Sequence, residues 1–176
     1  MIRFRDIAIG LLAAGSFGAT AHAQSGDAVN TDTSMTLYRG VTIEKNSDLS
    51  FGTVVRPNTG SSTVIIDQGT GARTFTGGVV LLGTGPNPAA GRATFTVRGE
   101  GGQTFGITVP DFFPMTRAGG SEVLLVQTAN ATTGTLGNSL GALGSATFGV
   151  GGTITIPDNQ ASGFYTGTFL VEAAYN

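Results

Sequence analysis

The 176-residue sequence has no cysteine, no tryptophan, a single histidine and a single lysine, and only 11% of its residues are charged. The histidine, His22, lies in a segment that we expect to be removed on export. The absence of histidine and cysteine from the remainder excludes Ser-His and Cys-His nucleophile pairs, zinc sites built on these residues and iron–sulfur clusters. We therefore expect no catalytic residue, metal site or cofactor, and the protein is not expected to be an enzyme.

Basic residues are also scarce. The net charge is −2 and Lys45 is the one lysine, so the chain offers no basic patch for nucleic acid or anionic lipid. Without cysteine, no disulfide supports the fold even if the protein is exported. Nucleic acid is therefore not an expected partner, and stability must come from elsewhere.

The N-terminus has the pattern of a secretory signal. Arg3 and Arg5 precede a short apolar run at residues 7–14, and Ala21-His22-Ala23 provides a small-x-small cleavage site. The pattern predicts a signal peptide at residues 1–23. The apolar run is too short to span a bilayer, and no later stretch approaches about 18 apolar residues, so the mature chain is not expected to insert into a membrane.

Hydrophobic residues alternate with polar ones along most of the mature sequence. In residues 92–98, Ala93, Phe95 and Val97 share one face, and arginine and threonine occupy the other. This period of two is typical of half-buried antiparallel strands. Similar runs predict strands at residues 34–44, 49–55, 63–67, 74–82, 103–109, 122–128, 146–150, 152–156 and 164–175. Glycine-rich turns separate them, residues 129–144 are predicted to form a loop, and the whole pattern indicates an all-β antiparallel sandwich or barrel.

One motif is typical of a hydrolase. Gly137-Asn138-Ser139-Leu140-Gly141 fits the G-x-S-x-G pattern, but a nucleophile elbow needs a preceding strand, a following helix and a histidine base. We interpret the match as a coincidence of composition. The ten acidic residues of the mature chain mostly flank turns, where they bind their own backbone, and none forms a spaced pair or a calcium loop. A carboxylate-based hydrolase is the minor alternative that this leaves open.

The two ends of the mature chain are the informative regions. From Gly163, a hydrophobic strand runs almost to Asn176, and we expect no later segment to pair with it. The predicted acceptor residues of this strand are Gly163, Tyr165, Phe169, Val171, Ala173 and Tyr175, which alternate along it together with Gly167. Because an unpaired edge promotes assembly, we predict that this strand accepts an extended segment from another subunit.

The candidate donor is the N-terminal extension at residues 24–39, which precedes the predicted sandwich domain at residues 40–176. Within residues 27–37, the alternating positions are Val29, Thr31, Thr33, Met35 and Leu37, and the apolar members are the predicted anchors. The same alternation also fits an ordinary first strand that folds back onto its own domain. The sequence leaves both arrangements open.

An ordered set of short runs resembles the secreted bacterial family DUF4402. The runs are Asp48-Leu-Ser-Phe-Gly-Thr53, Gly78-Val-Val-Leu81, Ala93-Thr-Phe-Thr-Val97, Phe105-Gly-Ile-Thr-Val-Pro110, Val150-Gly-Gly-Thr-Ile154, Gly163-Phe-Tyr-Thr-Gly-Thr-Phe169 and Ala174-Tyr-Asn176. The resemblance covers nearly the whole mature chain. It implies a likeness to fimbrial subunits and to spore-coat-protein-U-like pilins.

The C-terminus also resembles that of chaperone–usher pilins, which have a penultimate tyrosine and a glycine fourteen residues from the end. Tyr175 and Gly163 occupy these positions, although the chain lacks the usual pilin disulfide and has a long loop at residues 129–144. The resemblance implies an incomplete immunoglobulin-like sandwich that polymerises with like subunits by donor-strand exchange. It also implies a periplasmic chaperone, an outer-membrane usher and a final location in a fibre at the cell surface.

An alternative from a different functional class is a secreted β-sandwich that acts as a monomeric binding module, for a glycan or in surface adhesion. Tyr38 and Tyr165 are candidate residues for stacking on sugar rings, although tryptophan, the residue best suited to that role, is absent.

Overall fold

The computed structural model describes residues 27–83 and 88–176. The chain divides into two units, Met1–Met35 and Thr36–Asn176. The described residues of the first unit, 27–35, form no strand and have exposed side chains. The expected signal segment, residues 1–23, lies outside the described residues.

The second unit is built from β-strands, and its described part contains no helix. Every strand pair is antiparallel, which confirms the predicted fold class, and the curled sheets are consistent with a β-sandwich. The strands are β1 Thr42–Ser47, β2 Thr53–Val55, β3 Ser61–Ile66, β4 Arg73–Thr76, β5 Val80–Leu82, β6 Ala93–Glu100, β7 Thr104–Thr108, β8 Phe112–Arg117, β9 Val123–Asn130, β10 Thr133–Thr135, β11 Leu143–Pro157, β12 Tyr165–Thr166 and β13 Glu172–Tyr175.

The largest sheet has the strand order β1-β6-β11-β9-β8-β12 and is organised by the 15-residue strand β11. The first half of β11 pairs with β6, and its second half pairs with β3, which in turn pairs with β4. Gly151 and Gly152 lie at the point where β11 changes its partner from β6 to β3. A side chain at Gly151 would collide with the carbonyl oxygen of Ile66, so the close approach of β3 requires glycine there.

The described residues also form two smaller sheets. One has the order β10-β7-β13, and the other pairs β2 with β5. As a result, the C-terminal region contributes an edge strand to two different sheets, β12 to the largest sheet and β13 to the three-stranded one. The chain crosses between these sheets at residues 167–171.

The core is filled by the alternating residues that the sequence pattern singles out. Ala93, Phe95 and Val97 are buried on β6, as are Phe105 and Ile107 on β7. The buried residues form three hydrophobic clusters, which contain Phe113, Phe105 and Phe95, respectively. Burial of side chains of this size stabilises a fold by roughly 1.5–3 kcal/mol each.

Several strand boundaries differ from those predicted. The first strand begins at Thr42 instead of residue 34, and the long C-terminal strand is divided in two. The predicted loop at residues 129–144 contains β10, and β8 was not predicted because Pro114 interrupts its pattern. Proline is tolerated there because β12 pairs only with Arg117 and Thr116, which leaves the outer edge of β8 free beside Pro114.

Candidate functional site: an open groove beside the last strand

The C-terminal region presents one face to the core. Tyr165, Phe169, Val171, Ala173 and Tyr175 are all half-buried, whereas the residues between them, and Gly163, are exposed. Five of the six predicted acceptor residues therefore face the core, and Gly163 does not. Phe169 stacks on the buried Phe113 with ring centroids 4.7 Å apart, but none of the five reaches full burial, so this edge of the core is incompletely covered.

The backbone of this region is unpaired where it crosses between the sheets. Among the described residues, none donates or accepts a backbone hydrogen bond with residues 167–171. Backbone N–H and C=O groups are normally paired, in sheets most often with a neighbouring strand. Five consecutive residues without such a partner constitute an open strand edge.

A long groove runs beside this edge. It lies between residues 43–58 on one side and residues 160–171 on the other, and we refer to it as the long groove. Its narrow section has a volume of about 260 Å³ between Ile43, Lys45 and Phe169. Its wide section has a volume of about 1080 Å³ and extends past Arg56 and Tyr165. Asp48, Leu49, Phe51, Met115 and Gly167 line both sections, so the two adjoin.

The floor of the long groove is the hydrophobic core itself. Phe95 and Phe113 line the narrow section, and Leu124, Ile154 and Ile156 line the wide one. All five are buried residues of the core. The core of the sandwich therefore lies directly beneath the gap between the two walls.

Hydrogen bonds close the wide end of the long groove. The Arg56 guanidinium donates to the carbonyl oxygen of Gln160 over 2.8 Å. Beside it, the Gly60 N–H donates to the Asp158 carboxylate over 2.7 Å. Asp158 is one of the acidic residues predicted to bind backbone at turns, and it does so here across two distant segments.

A second hydrogen-bonded group, which we call the Arg39 cluster, consists of Arg39, Glu100, Gly141 and Tyr175, and none of its residues lines the long groove. The Tyr175 hydroxyl donates to the Arg39 carbonyl oxygen over 2.8 Å and accepts from the Glu100 N–H over 2.6 Å. The Glu100 carboxylate accepts from the Arg39 guanidinium over 2.8 Å and from the Gly141 N–H. Four distant parts of the chain therefore meet at the penultimate tyrosine.

Glu100 is only 2% exposed, and these contacts account for its burial. The Gly141 N–H, with Arg39, lowers the pKa of Glu100 because both favour the charged carboxylate. The loop that contains the G-x-S-x-G motif thus supplies a backbone donor to a buried carboxylate. The described residues contain no histidine beside Ser139, and no group of three or more metal-ligating side chains is found among them.

The predicted donor residues lie in an exposed, strand-free stretch. Val29 is 83% exposed, Met35 84% and Leu37 80%, and Thr31 and Thr33 are also exposed. Large apolar side chains at this level of exposure leave nearly all of their surface available for burial against another molecule.

Sequence reasoning missed Arg56, which closes the wide end of the long groove, and Arg39 and Glu100, which bind Tyr175. Arg39 and Glu100 are 61 residues apart, and Arg56 and Gln160 are 104 apart. No local pattern signals such contacts. The turn Gly99-Glu100-Gly101-Gly102 was recognised, but not the role of its carboxylate.

Comparison with known families gives one result. The family model described as "Domain of unknown function (DUF4402)" matches residues 41–175. No curated protein and no solved structure matches the chain. Within the described residues, no helix has the length and apolar character needed to cross a membrane.

Proposed function

The chain belongs to the DUF4402 family, and from this premise we propose that it is an exported structural subunit of a surface fibre, assembled by donor-strand exchange. The observation that carries the proposal is the long groove, in which an unpaired strand edge borders an uncovered hydrophobic core. An extended segment from a second copy would supply both the missing backbone partners and the missing apolar side chains.

The N-terminal extension has the length and pattern for this role. An eleven-residue donor, residues 27–37, spans about 36 Å at roughly 3.3 Å per residue. The acceptor edge, residues 163–171, spans about 30 Å by the same measure. Val29, Met35 and Leu37 fall on one face of the extended donor, and each would contribute about 1.5–3 kcal/mol on full burial.

The unpaired edge also supports a requirement for assembly partners. An exposed apolar groove with five unpaired residues is an aggregation hazard for the isolated subunit. We therefore propose that a periplasmic chaperone covers the long groove after export, and that an outer-membrane usher exchanges it for the next subunit. The likeness to chaperone–usher pilins supports this order of events, with the cell surface as the final location and no catalytic role.

Removal of the donor tests the proposal. A variant lacking residues 24–37 is expected to remain monomeric, whereas the intact mature protein forms a ladder or fibres, as judged by gel filtration and electron microscopy. A synthetic peptide of residues 27–37, added in trans, is expected to raise the melting temperature of the truncated subunit, because it binds only the folded state.

The matched control is the same peptide with Met35 and Leu37 replaced by aspartate, which retains the backbone but not the anchors. This peptide is expected to give no shift. Polymerisation of the truncated subunit, or equal stabilisation by both peptides, would contradict donor-strand exchange. Tight binding of glycans by a soluble monomer that never assembles would instead support the binding-module alternative.

A further inference from the structure

The outer face of the largest sheet carries no charge across five neighbouring strands. One continuous row of cross-strand partners runs over β4, β3, β11, β9 and β8, and its members are Thr74, Ile65, Thr153, Gln127 and Phe112. The next outward positions on the same strands are Thr76, Thr63, Thr155, Leu125 and Pro114. All of these side chains are exposed or half-buried. We refer to these two rows as the uncharged face.

The same strands hold the core on their other side. Leu124, Val126 and Ile154 are buried, and they alternate with residues of the uncharged face along β9 and β11. Leu124 and Ile154 also line the long groove. Because successive side chains of a strand point to opposite faces of the sheet, the uncharged face and the long groove lie on opposite sides of the same strands. A molecule bound to one does not block the other.

Large apolar side chains are exposed on the uncharged face. Leu125 is 56% exposed and Phe112 is 52% exposed, and Pro114 is the direct cross-strand partner of Leu125. Other outward positions of the same sheet are charged, since Glu44 on β1 and Arg98 on β6 are both exposed. The outer side of an antiparallel sheet is normally polar, and a contiguous patch with exposed aromatic and aliphatic residues indicates a contact surface.

The lack of charge favours a second copy of this chain as the occupant. The net charge of the chain is −2, so two copies repel each other where their charged surfaces meet. An uncharged surface can meet its own copy without opposing like charges. Nucleic acid, in contrast, would find no cation to pair with its phosphates there. Threonine methyl groups and aliphatic side chains also suit the face-to-face packing of two sheets, about 10 Å apart.

The size of the uncharged face determines the strength of this contact. Two rows over five strands, at about 4.8 Å between strands and about 6.6 Å along each strand, cover roughly 320 Å². A stable interface between two proteins buries about 800 Å² on each partner, so a single pair of subunits would dissociate readily. In a fibre, the face recurs in every subunit, and many weak contacts then act together.

We propose that the uncharged face joins fibres side by side, with the sheet of one copy packed against the same sheet of a second copy. The inference rests on the proposed function only for the repetition of the face along a fibre, since the surface itself belongs to the single subunit. The contact is weak between isolated subunits and strong between fibres. Added salt strengthens it, because salt screens the repulsion between the negatively charged copies.

Thr155→Lys tests the uncharged face, and Thr147→Lys is the matched control. Both threonines are exposed on β11, about 26 Å apart, and both variants change the net charge equally. Thr147, however, lies in one row with Thr96 and the charged Glu44. Thr155→Lys is expected to form single fibres normally and to raise the protein concentration needed for bundling at least about tenfold, because it opposes like charges across the contact.

Electron microscopy and light scattering of the intact mature protein measure this difference. Leu125→Lys, on the neighbouring strand β9, is expected to behave as Thr155→Lys does, whereas Thr147→Lys should bundle as readily as the wild type. Normal single fibres show that each variant folds. Wild-type fibres that stay single at every salt concentration, or equal loss of bundling in Thr155→Lys and Thr147→Lys, would overturn the inference and leave the proposed function standing.

Two other outcomes assign the face differently. Bundles that form only after a purified polysaccharide is added would make a glycan the occupant and overturn the second copy. If no fibres form, the proposed function fails, and sedimentation of the mature protein decides the role of the face. A concentration-dependent dimer that is weakened by Thr155→Lys but not by Thr147→Lys would keep the face as an interface between copies. A monomer at all concentrations would overturn both proposals.

Discussion

Met35 provides the sharpest quantitative expectation, because the structure states how much of its surface remains to be buried. The side chain is 84% exposed in the unpaired subunit. Seated on the core floor of the long groove, it would lose nearly all of that exposure. Burial of a methionine side chain contributes roughly 1.5–3 kcal/mol, of which alanine would retain a small part.

We therefore expect Met35→Ala in a donor peptide of residues 27–37 to weaken binding to the subunit lacking residues 24–37 by about 2 kcal/mol, or about 30-fold in Kd. Isothermal titration calorimetry of the wild-type and variant peptides against the same truncated subunit measures this difference. The negative heat-capacity change on binding should also be smaller for the variant, since it reports buried apolar surface.

Thr36→Ala is the internal control for this measurement. Thr36 alternates with Met35, so its side chain would point away from the groove, and its replacement is expected to change Kd by no more than about twofold. Equal losses at the two positions, or unchanged binding of the Met35→Ala peptide, would show that Met35 is not the residue that enters the groove.

Three further expectations concern the subunit itself and are measured by urea unfolding. A Cβ added at Gly163 would lie 2.7 Å from Cδ of Arg117. Gly163→Val is therefore expected to displace the Arg117 side chain and to destabilise the fold by about 1–3 kcal/mol. Unchanged stability would contradict this packing. Hydrogen bonds from Arg117 lower the pKa of Glu122 from 4.5 to about 2. The charged Glu122 therefore contributes fully to stability above pH 4.5, and this contribution is lost as the pH falls towards 2. Glu122→Gln should make stability less dependent on pH in that range. Phe113 is 6% exposed and stacks on Phe169, so Phe113→Ala is expected to cost about 3–5 kcal/mol, and a cost below 1 kcal/mol would show that the site is not a packed core.

The fold class could be predicted because the alternation of period two is local. Ala93, Phe95 and Val97 were assigned to one face by counting alone, and all three are buried on β6. Where the local signal was broken or misleading, the prediction was wrong. Pro114 interrupts the alternation in β8, so that strand was not predicted. Residues 34–41 alternate but form no strand in the described structure.

The candidate site could be predicted only in part, for the same reason. The half-buried face of the C-terminal region follows from alternation, and the structure places Tyr165, Phe169 and Val171 as counted. The groove itself arises from the placement of residues 43–58 opposite residues 160–171, over a sequence separation of more than a hundred residues. The division of the last strand between two sheets, which leaves residues 167–171 unpaired, likewise depends on long-range pairing with β7 and β8.

The short distance between Leu37 and Arg39 has a mechanical consequence. In the proposed fibre, Leu37 is buried in one subunit and Arg39 is held in the next, so Tyr38 is the whole linker, about 7 Å of extended chain. A tether of this length allows little bending between subunits. A pull along the fibre would load the donor strand along its length, so that its ladder hydrogen bonds share the force instead of opening one after another. Such a fibre is expected to be stiff and to fail by the loss of entire donor strands.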